Sequence, residues 1–173
     1  TALTFLDLER EVLKAAGQQA DAILEHHVVE AHRDPAFVEQ AIEAARSRHA
    51  GRLRHKGQRP TWVLLPGGTQ CVVQTPYLRP VSRRRPGRKR SKRGPTGVGV
   101  YPVLEALGIG DGVSPATRSQ LALYTVQAGS YQEAVGLLSE HGLEVDPSTL
   151  RRVALSTAQI DTALRDAALG QVR

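Results

Sequence analysis

The sequence predicts a mainly α-helical chain with one β-hairpin, and three observations carry that expectation. Apolar residues return at three- and four-residue steps over most of the 173 residues. Helix-opening signals precede these runs. One stretch alternates instead, around Pro66-Gly67-Gly68. The expected order is an N-terminal helical pair, the hairpin, a basic linker and a C-terminal helix-turn-helix-like subdomain. As segments these are 1–59, 60–81, 82–100 and 101–173.

The first helix fills the opening 32 residues. Phe5, Leu8, Val12, Ala16, Ala20, Ile23 and Leu24 form its apolar stripe. Thr4 caps it, and Asp7 completes an S/T-x-x-acid pattern. Asp34-Pro35 opens the second helix, because proline at the first helical position lacks only an amide that would have no partner. Phe37, Val38, Ala41, Ile42 and Ala45 make its apolar face, and the helix is expected to run into Arg46, Arg48, Arg52 and Arg54.

The hairpin strands are read as Thr61–Leu65 and Thr69–Thr75, with Pro76 ending the second because it cannot donate to a ladder. After the hairpin, Arg83–Arg93 holds eight basic residues in eleven and no apolar side chain, so a flexible arm is expected. Pro102 opens a short helix ending at Gly108, with Ile109 folding back on Leu104. Ser114-Pro115, Ser130-x-x-Glu133 and Asp146-Pro147 open three more helices. Leu150, Val153, Ala154, Ile160 and Leu164 are expected to face inward on the last of them.

Charge narrows the function. From Ala44 to Leu104 there are 15 Lys/Arg and no Asp or Glu, whereas residues 1–43 carry 3 basic and 9 acidic residues and 105–173 carry 5 and 8. An ordinary solvated surface mixes signs, so the acid-free strip reads as a surface for a polyanion. Arg83, Arg84, Arg85, Arg88, Lys89, Arg90, Lys92 and Arg93 are the expected phosphate contacts, giving affinity without reading sequence. Ser148, Thr149, Arg151 and Arg152 lie near the start of the last helix, where a recognition helix meets base edges and phosphates. Double-stranded DNA is the expected partner.

Other chemistries find little support. His26, His27, Glu30 and His32 are close in sequence, but their spacing is not H-E-x-x-H, and no metal site is expected. The glycines at 97–99 and 108–112 lack a strand-glycine-helix context, so no dinucleotide or other cofactor is expected. No nucleophile elbow is present and Cys71, the single cysteine, reads as a packing residue, so no catalytic residue is assigned and the chain is not expected to be an enzyme. No apolar run is long enough for a membrane span, and no leader opens the sequence; a cytoplasmic, nucleoid-associated setting is expected.

Several blocks in order carry a family resemblance: Gln74-Thr75-Pro76-Tyr77-Leu78-Arg79-Pro80, the basic arm, Gly97 to Ile109, Val113 to Arg118, Gly129 to Ala134, and Ser148 to Val153. Together, over roughly residues 60–168, they resemble the N-terminal half of ISKra-type bacterial insertion-sequence transposases. The resemblance implies a DNA-binding region that recognises element ends, followed in the family by an RNase H-like domain in which three carboxylates hold two divalent metals. The sequence stops at Arg173, near where that domain would begin, and Asp161 and Asp166 fall in a helical run. Catalysis is therefore expected to lie elsewhere, including a catalytic domain in trans. A homodimer through the N-terminal helices suits paired element ends. The competing reading is an oligomerising or RNA-associated assembly module that binds nucleic acid without selectivity.

Overall fold

The computed structural model describes residues 4–49, 53–81 and 99–171. They form six helices and one two-stranded antiparallel hairpin: α1 (Phe5–Arg33), α2 (Pro35–Arg48), β1 (Leu53–Leu64), β2 (Gln70–Pro80), α3 (Pro102–Ala106), α4 (Pro115–Gln127), α5 (Tyr131–Glu140) and α6 (Pro147–Gln171). The chain divides into two compact units interleaved in sequence, one comprising 1–25, 63–71 and 111–173, the other 26–62 and 72–110.

In the first unit α4, α5 and α6 pack on one another around Leu121, Ala134, Leu138, Leu143, Leu150 and Val153, all buried. Each helix starts where a polar side chain satisfies its orphan amides. Ser114 Oγ accepts from Thr117 N (3.2 Å), Ser130 Oγ from Glu133 N (3.1 Å), and Asp146 Oδ1 from Ser148 N and Thr149 N (2.9 Å each). The Ser148 hydroxyl and the Thr149 side chain first, and then these two amides, hold the Asp146 carboxyl far below the usual carboxylate range. The end of β1 joins this core. Leu64 lies in it and makes a parallel bridge to Val113, with Leu64 N donating to Gly112 O and Ser114 N to Leu64 O. The buried Thr117 hydroxyl also donates to Leu64 O (3.1 Å).

Asp21 on α1 fixes the hairpin turn. Its carboxylate is fully buried and accepts from Gly67 N and Thr69 N, both at 2.9 Å. The turn itself is closed by Gly68 N donating to Leu65 O and Leu65 N to Thr69 O, with Gly68 at φ 90°, as a three-residue loop ending in a left-handed residue requires. Cys71, next to the turn, is buried; burial pushes its thiol up to about 11, helped by the Glu25 carboxylate, so the thiolate is disfavoured there.

The hairpin is longer than its apolar pattern predicts. β1 begins at Leu53, so Arg54 lies on a strand, and α2 ends at Arg48. β2 runs through Pro76 to Pro80. Continuing the pairing from Leu65–Thr69 outward, Pro60 and Pro76 both fall at positions whose amide side points away from the partner strand, where a missing N–H costs nothing. Leu78, on the same outward side as Pro76, uses its N–H there: it and Val100 exchange both backbone bonds at 2.8 Å. Twelve residues of β1 face eleven of β2, and Gly57 sits inside β1 at φ 87°. That combination is a one-residue bulge with glycine at the left-handed position.

Two expected apolar faces are not buried within the chain. On α1 Phe5 is 75% exposed and Val12 59%, because the side of this helix turned to its own unit is the one that carries Asp21. On α6 Leu150 and Val153 are buried as expected, but Ile160 and Leu164 are 47% and 65% exposed. They lie beyond the reach of α4 and α5, which supply the facing core only along the first turns of α6.

Candidate nucleic-acid interface

The exposed part of β1 is where cations collect. From Arg54 to Pro60 every residue is exposed, and the run contains Arg54, His55, Lys56 and Arg59 with no carboxylate. In a two-stranded sheet each strand has an open edge, so polar residues on both faces of β1 meet solvent. The bulge at Gly57 shifts the side-chain alternation by one residue. Without it Arg54 and Lys56 would point to the face opposite Arg59; with it all three share a face. Arg59 is oriented there by Tyr77, whose ring centroid lies 3.9 Å from the guanidinium carbon and whose neighbour is Tyr101 at 5.0 Å.

The acid that ends the acid-free stretch is already engaged. Glu105 on α3 pairs with Arg48 (3.2 Å) and His49 (3.6 Å) at the C-terminus of α2. The Leu78–Val100 bridge brings the chain back to β2 after the basic segment, so that segment departs from and returns to the hairpin. Arg83, Arg84, Arg85, Arg88, Lys89, Arg90, Lys92 and Arg93 themselves lie outside the described residues.

The start of α6 is less open than its sequence suggests. Ser148 and Arg151 are exposed and Thr149 is half-buried, with Ser148 turned onto the Asp146 cap. Arg152 donates to Asp111 O (3.2 Å), and Ser156 to Asp111 Oδ2 (2.7 Å), so the loop before α4 covers this side of the helix. A groove of about 530 Å³ in the same unit is bordered by Arg10 and Lys14 but also by Glu11, Glu140 and Glu144, a mixture that does not favour phosphate.

The histidines of α1 have other occupations. His32 Nδ1 lies 2.7 Å from Val28 O, and the His26 and His27 rings meet edge to face at 5.8 Å. Among the described residues no group of three His, Cys, Asp or Glu is placed to hold a metal, and no helix is long and apolar enough to cross a membrane.

Sequence reasoning passed over Arg54, Lys56 and Arg59 as a strand surface and assigned them no site. The signal was present in the charge run, but the lack of apolar alternation concealed the strand that displays it. Compared with family models, curated proteins and solved structures, the chain gives no match.

Proposed function

We propose that this chain is the DNA-binding module of a transposase, recognising insertion-element ends and leaving phosphodiester chemistry to a separate RNase H-like domain. The observation that carries the reading is the exposed, acid-free run Arg54–Arg59 on β1; the basic sequence 83–93 follows β2 in the same chain. Cations held on a strand displace condensed counterions at little further ordering cost, and the basic sequence 83–93 adds to the chain's positive charge. The block-by-block likeness to ISKra-type transposases supports the same partner. α6, through Arg151, is a second element for phosphate or base contact, with less room than β1 because Arg152 is engaged.

The test is a salt series on random-sequence duplex. Replacing Arg54 and Lys56 by Gln flattens the slope of log K against log salt by ~0.9 per lost contact, and Gln at Arg84, Arg85, Arg88, Lys89 and Arg90 flattens it further. An unchanged slope in both variants would return these cations to solvent.

The exposed stripe of α1 favours the oligomerising reading as an additional property. Its seven-residue spacing through Phe5, Leu8, Val12 and Ala15 is that of a two-chain seam. Light scattering decides it: Val12→Asp converts an assembled wild type to monomer, and a wild type already monomeric at high concentration removes the dimer.

A further inference from the structure

The hairpin has a second face, and it is uncharged. β2 alternates strictly from Gln70 to Thr75, exposed then buried, so Val72 and Gln74 point outward while Cys71, Val73 and Thr75 point in. Continuing the register from the Leu65–Thr69 pair places Trp62 directly across from Val72, and by alternation Pro60 and Gln58 lie on the same side as Trp62. All are open to solvent: Trp62 is 61% exposed and Val72 45%, and Gln58, Pro60 and Gln74 are exposed as well. The bulge keeps Arg54 and Lys56 off this side. A large exposed indole opposite an exposed valine is costly to leave in water. The flanking residues are amides, not charges.

Resting on the DNA-binding reading, we infer that this outer face of the hairpin is the base-reading surface, with Gln58 and Gln74 reading adenines in the major groove and Trp62 and Val72 packing on thymine methyl groups. A two-stranded ribbon fits the major groove. Glutamine matches the acceptor–donor pair that adenine presents there, and apolar side chains match the thymine methyl. Uncharged amides and apolar groups discriminate bases without adding sequence-independent affinity. The long cationic side chains along the open β1 edge meet the flanking phosphates, which fixes register. The division of labour is then between the two faces of one ribbon, and α6 adds backbone contacts only.

The experiment is selection of sites from a random duplex pool by the full chain, followed by titration of the selected duplex and of the unselected pool. Trp62 is the only tryptophan, so its fluorescence reports on this face alone. The expected result is a selected site containing A·T pairs, with a change in Trp62 emission on binding it. Gln74→Ala or Gln58→Ala should lose about tenfold in preference at one A·T position while binding the pool as before. The altered side chains are exposed, so circular dichroism and Tm should stay at their wild-type values. A site whose preference is untouched by the Gln58, Gln74 and Trp62→Ala variants, but relaxed by Arg151→Ala, would overturn the inference and move reading to α6. Binding of duplex without any preference would also overturn it, while the DNA-binding reading would stand. No binding to duplex at all, or equal binding to single-stranded RNA, would fail that reading itself.

Discussion

The α4–α6 bundle and the outer hairpin solve opposite problems with the same backbone chemistry. In the bundle nearly every helix start is closed by a side chain a few residues away, and six buried apolar residues fill the space between three helices. In the hairpin from Leu53 to Trp62, seven consecutive residues are exposed, and order comes from the ladder to β2 and from the Arg59–Tyr77 contact. The bundle has a surplus of acids, whereas the hairpin strand has only cations. Stability is therefore concentrated where charge is unsuited to nucleic acid, and charge is displayed where little packing has to be defended. Substitutions on the outer strand can change the charge displayed without threatening the core.

The largest loss of stability is expected at the turn. Asp21→Ala leaves the Gly67 and Thr69 amides without their charged acceptor, and should cost about 3–5 kcal/mol in urea unfolding. Next is the bundle core: Leu150→Ala should cost about 3 kcal/mol, and Ile160→Ser on the same helix less than about 0.5 kcal/mol, since only the first is buried. Equal losses at 150 and 160 would mean that the exposed half of α6 is covered in solution. On the hairpin, Gly57→Ala meets open space and should cost about 1–2 kcal/mol through backbone conformation alone. A larger loss would show that the bulge supports more than its own strand.

The smallest effect is on pH. Asp146 has its folded-state pKa depressed by the α6 cap, so the cap is fully present above the ordinary aspartate value of 3.8 and is lost only as pH falls through the lowered folded value. NMR titration of the Asp146 carboxyl should show a midpoint below 3.8, and Ser148→Ala should move it upward. A midpoint near 3.8 in the wild type would remove the cap from the account of α6.

Most of the bundle was legible because its determinants are local. Ser114, Ser130 and Asp146 cap within three residues of themselves, and Ile109 N donates to Leu104 O as the Gly108 stop implies. What escaped depends on distance or on geometry that residue type does not announce. The bond from Asp21 to the turn spans 46 residues. The Arg54–Arg59 run has no apolar alternation, since both faces of an open edge strand are wet, so nothing marked it as β. Pro76 reads as a strand terminator until the side on which its amide would point is known. The stripes of α1 and the far half of α6 have the period of a buried face, yet period alone does not say whether a partner surface exists in the same chain. The cations of the candidate interface were visible in composition; their assembly on one face needed the bulge.

The pair of bonds between Leu78 and Val100 has a consequence for how the chain can vary. It is made by main-chain atoms only, so it does not depend on which side chains fill the interval. Once the two ends are clamped, the penalty for a longer interval grows with the logarithm of its length, about 0.6 kcal/mol for each doubling. Residues can be added, removed or exchanged between these anchors with little effect on the strands, whereas a proline at Val100 would delete a donor and release one anchor. The number of positive charges between the anchors is thereby adjustable by insertion, independently of the two strands.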